Sequence, residues 1–151
     1  MADVAPEPII TAVSTTFESF QADIASNRQS EVNLIITDSA SVQQLNRQYR
    51  GIDAPTDVLS FENRPDPDFP NLDPAIVHYL GDIIIAYPVA KAQAEATGHP
   101  VMEEIILLAI HGALHLLGFD HDTPQNKDKM WAAQGQVIDK VGLAPIQPTE
   151  S

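Results

Sequence analysis

The stretch Ile105–Leu117, IILLAIHGALHLL, is apolar apart from two histidines and a glycine. It falls short of the roughly 20 residues a bilayer-spanning helix needs, so it reads as a helix buried at the centre of a globular domain. Pro100 suits the first helical position, with Glu103 and Glu104 near the positive end of the helix dipole. Gly118 stands just past the last turn, where glycine ends a helix by adopting a left-handed conformation. A chain with such a helix must wrap other elements around it.

Those elements can be read in order. Ile9, Val13, Phe17, Phe20 and Ile24 recur at the spacing of one helix face and predict a helix from Ile9 to about Ala25. Val32–Thr37 is a β-branched run and reads as a buried strand. Asp38 and Ser39 offer N-caps for a helix through Leu45 and Tyr49, which Gly51 is placed to end. Asp57–Phe61 predicts a second strand. The proline- and acid-rich residues 62–74 predict a surface loop, and Ile76–Ala86 a third strand with a break at Gly81. Pro88 opens an alanine-rich helix to Thr97, and Thr123-Pro124 caps a last amphipathic helix carrying Met130, Val137, Ile138 and Val141. Helix, strand, helix, two strands and three helices imply the α+β class: a single domain with a mixed sheet packed against helices. Residues 1–8 read as a loose leader, 9–143 as the domain and 144–151 as a flexible tail.

Composition narrows the function. The chain has 8 Lys+Arg against 21 Asp+Glu, a formal net charge of −13, so its surface at large repels nucleic-acid backbones. It has no cysteine, which excludes disulfides and thiolate metal sites. The acidic, proline-containing start lacks the basic and apolar regions of a signal peptide, so a soluble cytoplasmic protein without a membrane partner is expected.

Three of the five histidines fall in HGALHLLGFDH. His111 and His115 are four apart on the predicted helix, so their rings share a face, and the reversal at Gly118 can return His121 to it. Burying two imidazoles side by side without a common partner is costly. Three imidazoles with an open fourth position make a catalytic rather than a structural zinc site, where coordinated water ionises at a pH of about 7. One zinc ion on His111, His115 and His121 is the expectation. Gly112 costs the helix about 1 kcal/mol relative to alanine, which either close approach of a substrate or tight packing explains. It also stands where an H-E-x-x-H zinc peptidase carries its glutamate base, which disfavours peptide hydrolysis.

The run HGALHLLGFDH resembles the signature of the YbeY family of metal-dependent endoribonucleases. Two further blocks, LNRQYRGIDAPTDVLSF from Leu45 to Phe61 and LGDIII from Leu80 to Ile85, are similar to that family in the same order. The resemblance covers roughly residues 30–140. It implies an α+β fold, one zinc on the three histidines, and cleavage of single-stranded RNA, not DNA. It further implies maturation of the 3′ end of small-subunit ribosomal RNA and ribosome quality control, with the ribosome or its proteins as partners. Phe119 stands where the family commonly has tyrosine, so no hydroxyl acts there.

The family's arginine corresponds to Arg50, so Arg50 and His115 are the expected catalytic residues. A guanidinium beside a metal can hold two oxygens of a phosphodiester as charge develops on it. At a helix C-terminus, Arg50 equally suits the dipole alone. Asp57, Asp82 and Asp120 either orient ligand imidazoles or serve as strand and turn caps. The nucleophile is water or the RNA 2′-OH. The competing reading is a non-catalytic ribosome assembly factor stabilised by zinc.

Overall fold

The computed structural model describes residues 4–20, 30–62 and 78–143. Eight elements follow one another: α1 (Pro6–Phe20), β1 (Ser30–Thr37), α2 (Ser39–Arg50), β2 (Val58–Glu62), β3 (His78–Ala86), α3 (Tyr87–Thr97), α4 (Val101–Leu116) and α5 (Pro124–Lys140). Their order is the one the sequence predicts, and the class is α+β. The expected helix end at residues 21–25, the loop over residues 63–74, the strand start at Ile76 and the tail all lie outside the described residues.

The ends of these elements are chemically marked. Asp38 Oδ1 accepts from the backbone N–H of Ser41 at 2.7 Å, capping α2, and Gly51 closes it with φ of 71°. Thr123 Oγ1 caps α5 through the Asn126 N–H at 3.1 Å. Several boundaries differ from expectation: β1 starts at Ser30 rather than Val32, and β2 runs from Val58 to Glu62, taking in the first residue assigned to the loop. Helix α1 begins at Pro6, inside the stretch assigned to the leader, because proline's fixed φ suits a first turn. Pro100 is extended, with φ −62° and ψ 147°, and occupies the cap position one residue before α4 rather than its first turn.

The sheet is mixed, in the order β1-β3-β2, with β1 parallel and β2 antiparallel to the central β3. The break expected at Gly81 is a shift of register opposite Glu31 and Val32, not an end of the strand. Gly81 has φ of 144°, and a Cβ there would collide with the Phe61 carbonyl and with Leu116 Cδ2, the latter at 2.8 Å. Alternation along β3 gives each face of the sheet its own core. Ile83 and Ile85 join the main cluster with α1, α4 and α5, while Ile84 and Ala86 pack with Val42 of α2 and Leu59.

Twelve of the sixteen residues of α4 are buried, so it is the central helix and has almost no solvent face. Gly112 brings it against β3: a Cβ at this position would lie 2.7 Å from Cγ2 of Ile83, itself fully buried. Tight packing is therefore the reason for this glycine. The prediction is that Gly112→Ala destabilises the protein. Overpacking costs about 1–3 kcal/mol, against about 1 kcal/mol recovered from helix propensity, for a net loss on the order of 1 kcal/mol. Urea denaturation checks this; an unchanged or higher midpoint contradicts the close seam.

Candidate metal centre

His111 and His115 project from the last two turns of α4. The helix then ends in a motif of two reversing hydrogen bonds, Gly118 N–H to the His115 carbonyl at 3.0 Å and Phe119 N–H to the Leu114 carbonyl at 3.0 Å, with Gly118 at φ 98°. This turn brings His121 back over the helix end. Its ring centroid lies 5.6 Å from that of His111 and 5.2 Å from that of His115. One nitrogen from each of the three rings can be chosen so that all lie within 4.8 Å of one another. The three histidines singled out in the sequence thus converge.

The surroundings set which nitrogens face inward. His115 Nδ1 donates to the Phe119 carbonyl at 3.0 Å, an acceptor that the helix-ending turn itself supplies. His111 Nδ1 donates to Gln134 Oε1 of α5 at 2.6 Å. With both Nδ1 atoms carrying hydrogen, the neutral rings turn lone pairs towards each other, His111 Nε2 to His115 Nε2 at 3.1 Å. His121 Nε2 is buried without a hydrogen-bond partner. Lone pairs so close repel unless a cation lies between them. Nitrogens sharing a tetrahedral metal ion at bond lengths of about 2.0–2.1 Å stand about 3.3 Å apart, close to the spacing of the His111 and His115 Nε2 atoms, so this pair is placed to share such an ion. Trp131 of α5 walls the cluster, its ring 5.8 Å from that of His111 and 5.7 Å from that of His121.

Gln134 is the residue that sequence reasoning missed. A signal was available: it lies four residues after Met130 on the stripe of α5 that buries Val137 and Ile138, and a polar side chain on a buried stripe needs a polar partner. The carboxylates considered for this role make other hydrogen bonds. Asp57 caps Val58 N–H at 2.8 Å and accepts from Gln93 at 3.3 Å, and Asp82 accepts from the Tyr79 hydroxyl. Asp120 bonds the His121 backbone N–H at 2.8 Å as a turn residue, and its charge also acts on His111 and His115.

Arg50 lies on the same face. At the C-terminus of α2, its Nη2 donates to the Ser60 carbonyl on β2 at 2.7 Å, and its Cζ lies 5.5 Å from the Phe61 ring centroid. A groove of about 390 Å³ runs round this sheet edge, lined by Tyr49, Arg50, Ser60, Phe61, Glu62, His115 and Leu116. The C-terminal ends of α2 and α4 thus border one groove, with β2 between them. Phe119, lacking a hydroxyl, packs edge-on against Phe20 with centroids 5.4 Å apart. Gly112, where a peptidase would place its glutamate, is sealed in the seam with Ile83.

Fold and site together are those of an α+β protein with a three-histidine centre able to hold a metal ion beside a groove that bears Arg50. A family model described as Endoribonuclease YbeY matches residues 2–142, and the chain belongs to that family. The Endoribonuclease YbeY of Moorella thermoacetica is 42% identical over 139 residues, covering 91% of this chain and 89% of its own. That of Desulfitobacterium hafniense is 44% identical over 123 residues, covering 79% and 76%. The solution structure of TM1509 from Thermotoga maritima matches with a TM-score of 0.56 and 25% identity, over 91% of this chain and 83% of that one. Among the described residues no helix is long and apolar enough to cross a membrane.

Burial holds His111 down to about 4 from its ordinary 6.5, with the positive charge His115 would carry as the next cause. His115 is lowered too, first by burial, then by His121 and, less, by Arg50. Metal-stripped protein should therefore keep His111 neutral at about pH 5.5, while the same residue in the unfolded chain is mostly charged. Because the unfolded state binds the extra proton between pH 6.5 and about 4, stability is highest above this window. It falls as pH drops through the window, by up to about 1.4 kcal/mol per pH unit from this residue. An NMR titration of the imidazole resonances reads this directly; a His111 midpoint at its ordinary value contradicts the depressed pKa.

Proposed function

We propose that this chain is a single-strand-specific endoribonuclease that uses one zinc ion on His111, His115 and His121. We further propose that it acts in the cytoplasm, in maturation of the 3′ end of small-subunit ribosomal RNA and in ribosome quality control. The observation that carries the reading is the convergence of three imidazoles beside an arginine-lined groove, in a chain of the YbeY endoribonuclease family.

Zinc, when bound, supplies Lewis acidity towards a phosphodiester oxygen and acidifies water. The chain's own residues do the rest. Gln134 and the Phe119 carbonyl hold two of the ligand rings in the tautomer that turns Nε2 inward. Arg50, one nitrogen tied to the Ser60 carbonyl, keeps further donors for a phosphate oxygen and stabilises the charge that grows there. Trp131 and the apolar body of α4 limit water on the inner side, which strengthens these interactions.

The charge of −13 bears on how substrate arrives. Among the described residues Arg50 is the one cationic residue lining the groove, and with the net charge of −13 delivery by the ribosome or a ribosomal protein partner fits the surface better than free capture.

Arg50→Ala should keep zinc and folding but lower kcat/KM on a ribosomal RNA fragment by about 100-fold, as loss of a transition-state donor does, whereas His115→Ala should lose both zinc and cleavage. If Arg50→Ala cleaves as well as the unaltered protein, arginine has no part in the reaction. DNA and RNA oligonucleotides of one sequence separate the nucleophiles, since equal cutting of DNA eliminates the 2′-OH. Gln134→Leu should weaken zinc binding by about 10–100-fold, measured by competition with a chromophoric chelator. Unaltered affinity there means that the amide does not orient His111.

A further inference from the structure

The groove carries a feature that metal and arginine leave unused. Tyr49 is 63% exposed, more than the other large hydrophobic residues left open on the described surface. It continues the apolar stripe of α2 through Val42 and Leu45, yet Val42 is fully buried and Leu45 half-buried, so burial does not account for an aromatic ring at this position. The ring is held in place: it meets Phe61 edge-on, with centroids 5.5 Å apart and planes at 62°. Phe61 is itself packed against the cluster of Val42, Leu59, Ile84 and Ala86, and the Arg50 guanidinium lies beside it. An exposed tyrosine, a braced phenylalanine and a cation therefore share one rim of the groove that reaches His115.

We propose that Tyr49, braced by Phe61, is a stacking platform for an unpaired nucleobase of the RNA strand whose phosphate Arg50 engages. This rests on the groove being the RNA site. Neighbours in sequence, Tyr49 and Arg50 present a flat apolar surface and a phosphate-binding fork side by side, which matches a nucleotide's base and phosphate. Stacking is also the attraction that a chain of net charge −13 can use, because it does not depend on neutralising many phosphates. It favours single strands as well, since a base in a duplex has no free face to offer. Tyr49 acts here as a positioning residue that sets strand preference, and the metal does the chemistry.

The test uses the full chain and a single-stranded RNA oligonucleotide made uncleavable by 2′-O-methylation, with one 2-aminopurine as a fluorescent base. Tyr49→Ala should raise Kd about tenfold and remove the emission change that stacking produces. Tyr49→Phe should bind within about twofold of the unaltered protein, while Tyr49→Leu behaves like Tyr49→Ala, because a flat π-face rather than apolar area is what is needed. On unmodified RNA the loss falls on KM rather than kcat. Binding unaffected by Tyr49→Ala, or fully restored by leucine, overturns the platform. Tyrosine-dependent binding without any cleavage of unmodified RNA supports the platform and overturns the nuclease reading; cleavage insensitive to Tyr49→Ala does the reverse.

Discussion

Two imidazoles sunk into an otherwise apolar helix create a demand that the surrounding structure must meet. His111 is only 2% exposed, and each ring nitrogen taken out of water there needs a partner, at a cost of the order of a few kcal/mol if it finds none. Gly112 makes that depth possible by letting α4 lie directly on Ile83 of the central strand. The outer nitrogens are then answered by Gln134 and by the Phe119 carbonyl, and the inner ones are left facing each other. A divalent cation completes such an arrangement where a proton does not, because burial holds His111 neutral down to about pH 4. Metal affinity, the tautomers and the packing of three elements are thus one constraint.

The same helix end organises the groove. The turn through Gly118 both returns His121 and supplies the carbonyl that fixes His115, so ending the helix and building the centre are a single structural event. On the other side of the sheet edge, α2 ends at Arg50, whose bond to Ser60 occupies a carbonyl of edge strand β2 and holds the guanidinium on the His115 side. Residues far apart in the chain come to one groove because, among the described residues, β2 sits at the edge of the sheet, where both helix ends can border it. An acidic protein can work on a polyanion under these conditions, since an arginine, three metal-ligating imidazoles and an exposed tyrosine are concentrated in one place while the net charge of −13 repels at large.

Much of this was legible in advance because it is local. The caps at Asp38, Gly51, Thr123 and Gly118, the period of α2 and the β-branched run of β1 each depend on residues a few positions apart. HxxxH on an apolar helix followed by glycine and a third histidine signals convergence from spacing alone. Other features were ambiguous because their resolution lies across the fold. Gly112 served substrate approach and packing equally well until Ile83 was found against it. Asp57 was a plausible partner for an imidazole until its oxygens were seen on Val58 and Gln93. Gln134, nineteen residues after His115 in the chain, had no local reason to be tied to a histidine.

The sequence by itself determined the class, the order of elements and the trio of histidines, since periodicity, capping and motif spacing act over one or two turns of chain; Arg50 stood out only through the resemblance to the YbeY family. Tertiary structure alone decided who holds the rings, where Arg50 points, and that Tyr49 stays uncovered beside it. Those outcomes follow from the placing of β2 at the edge of the described sheet and the packing of α5 on α4, and periodicity marks a buried position such as Gln134 without naming the partner it meets across the fold.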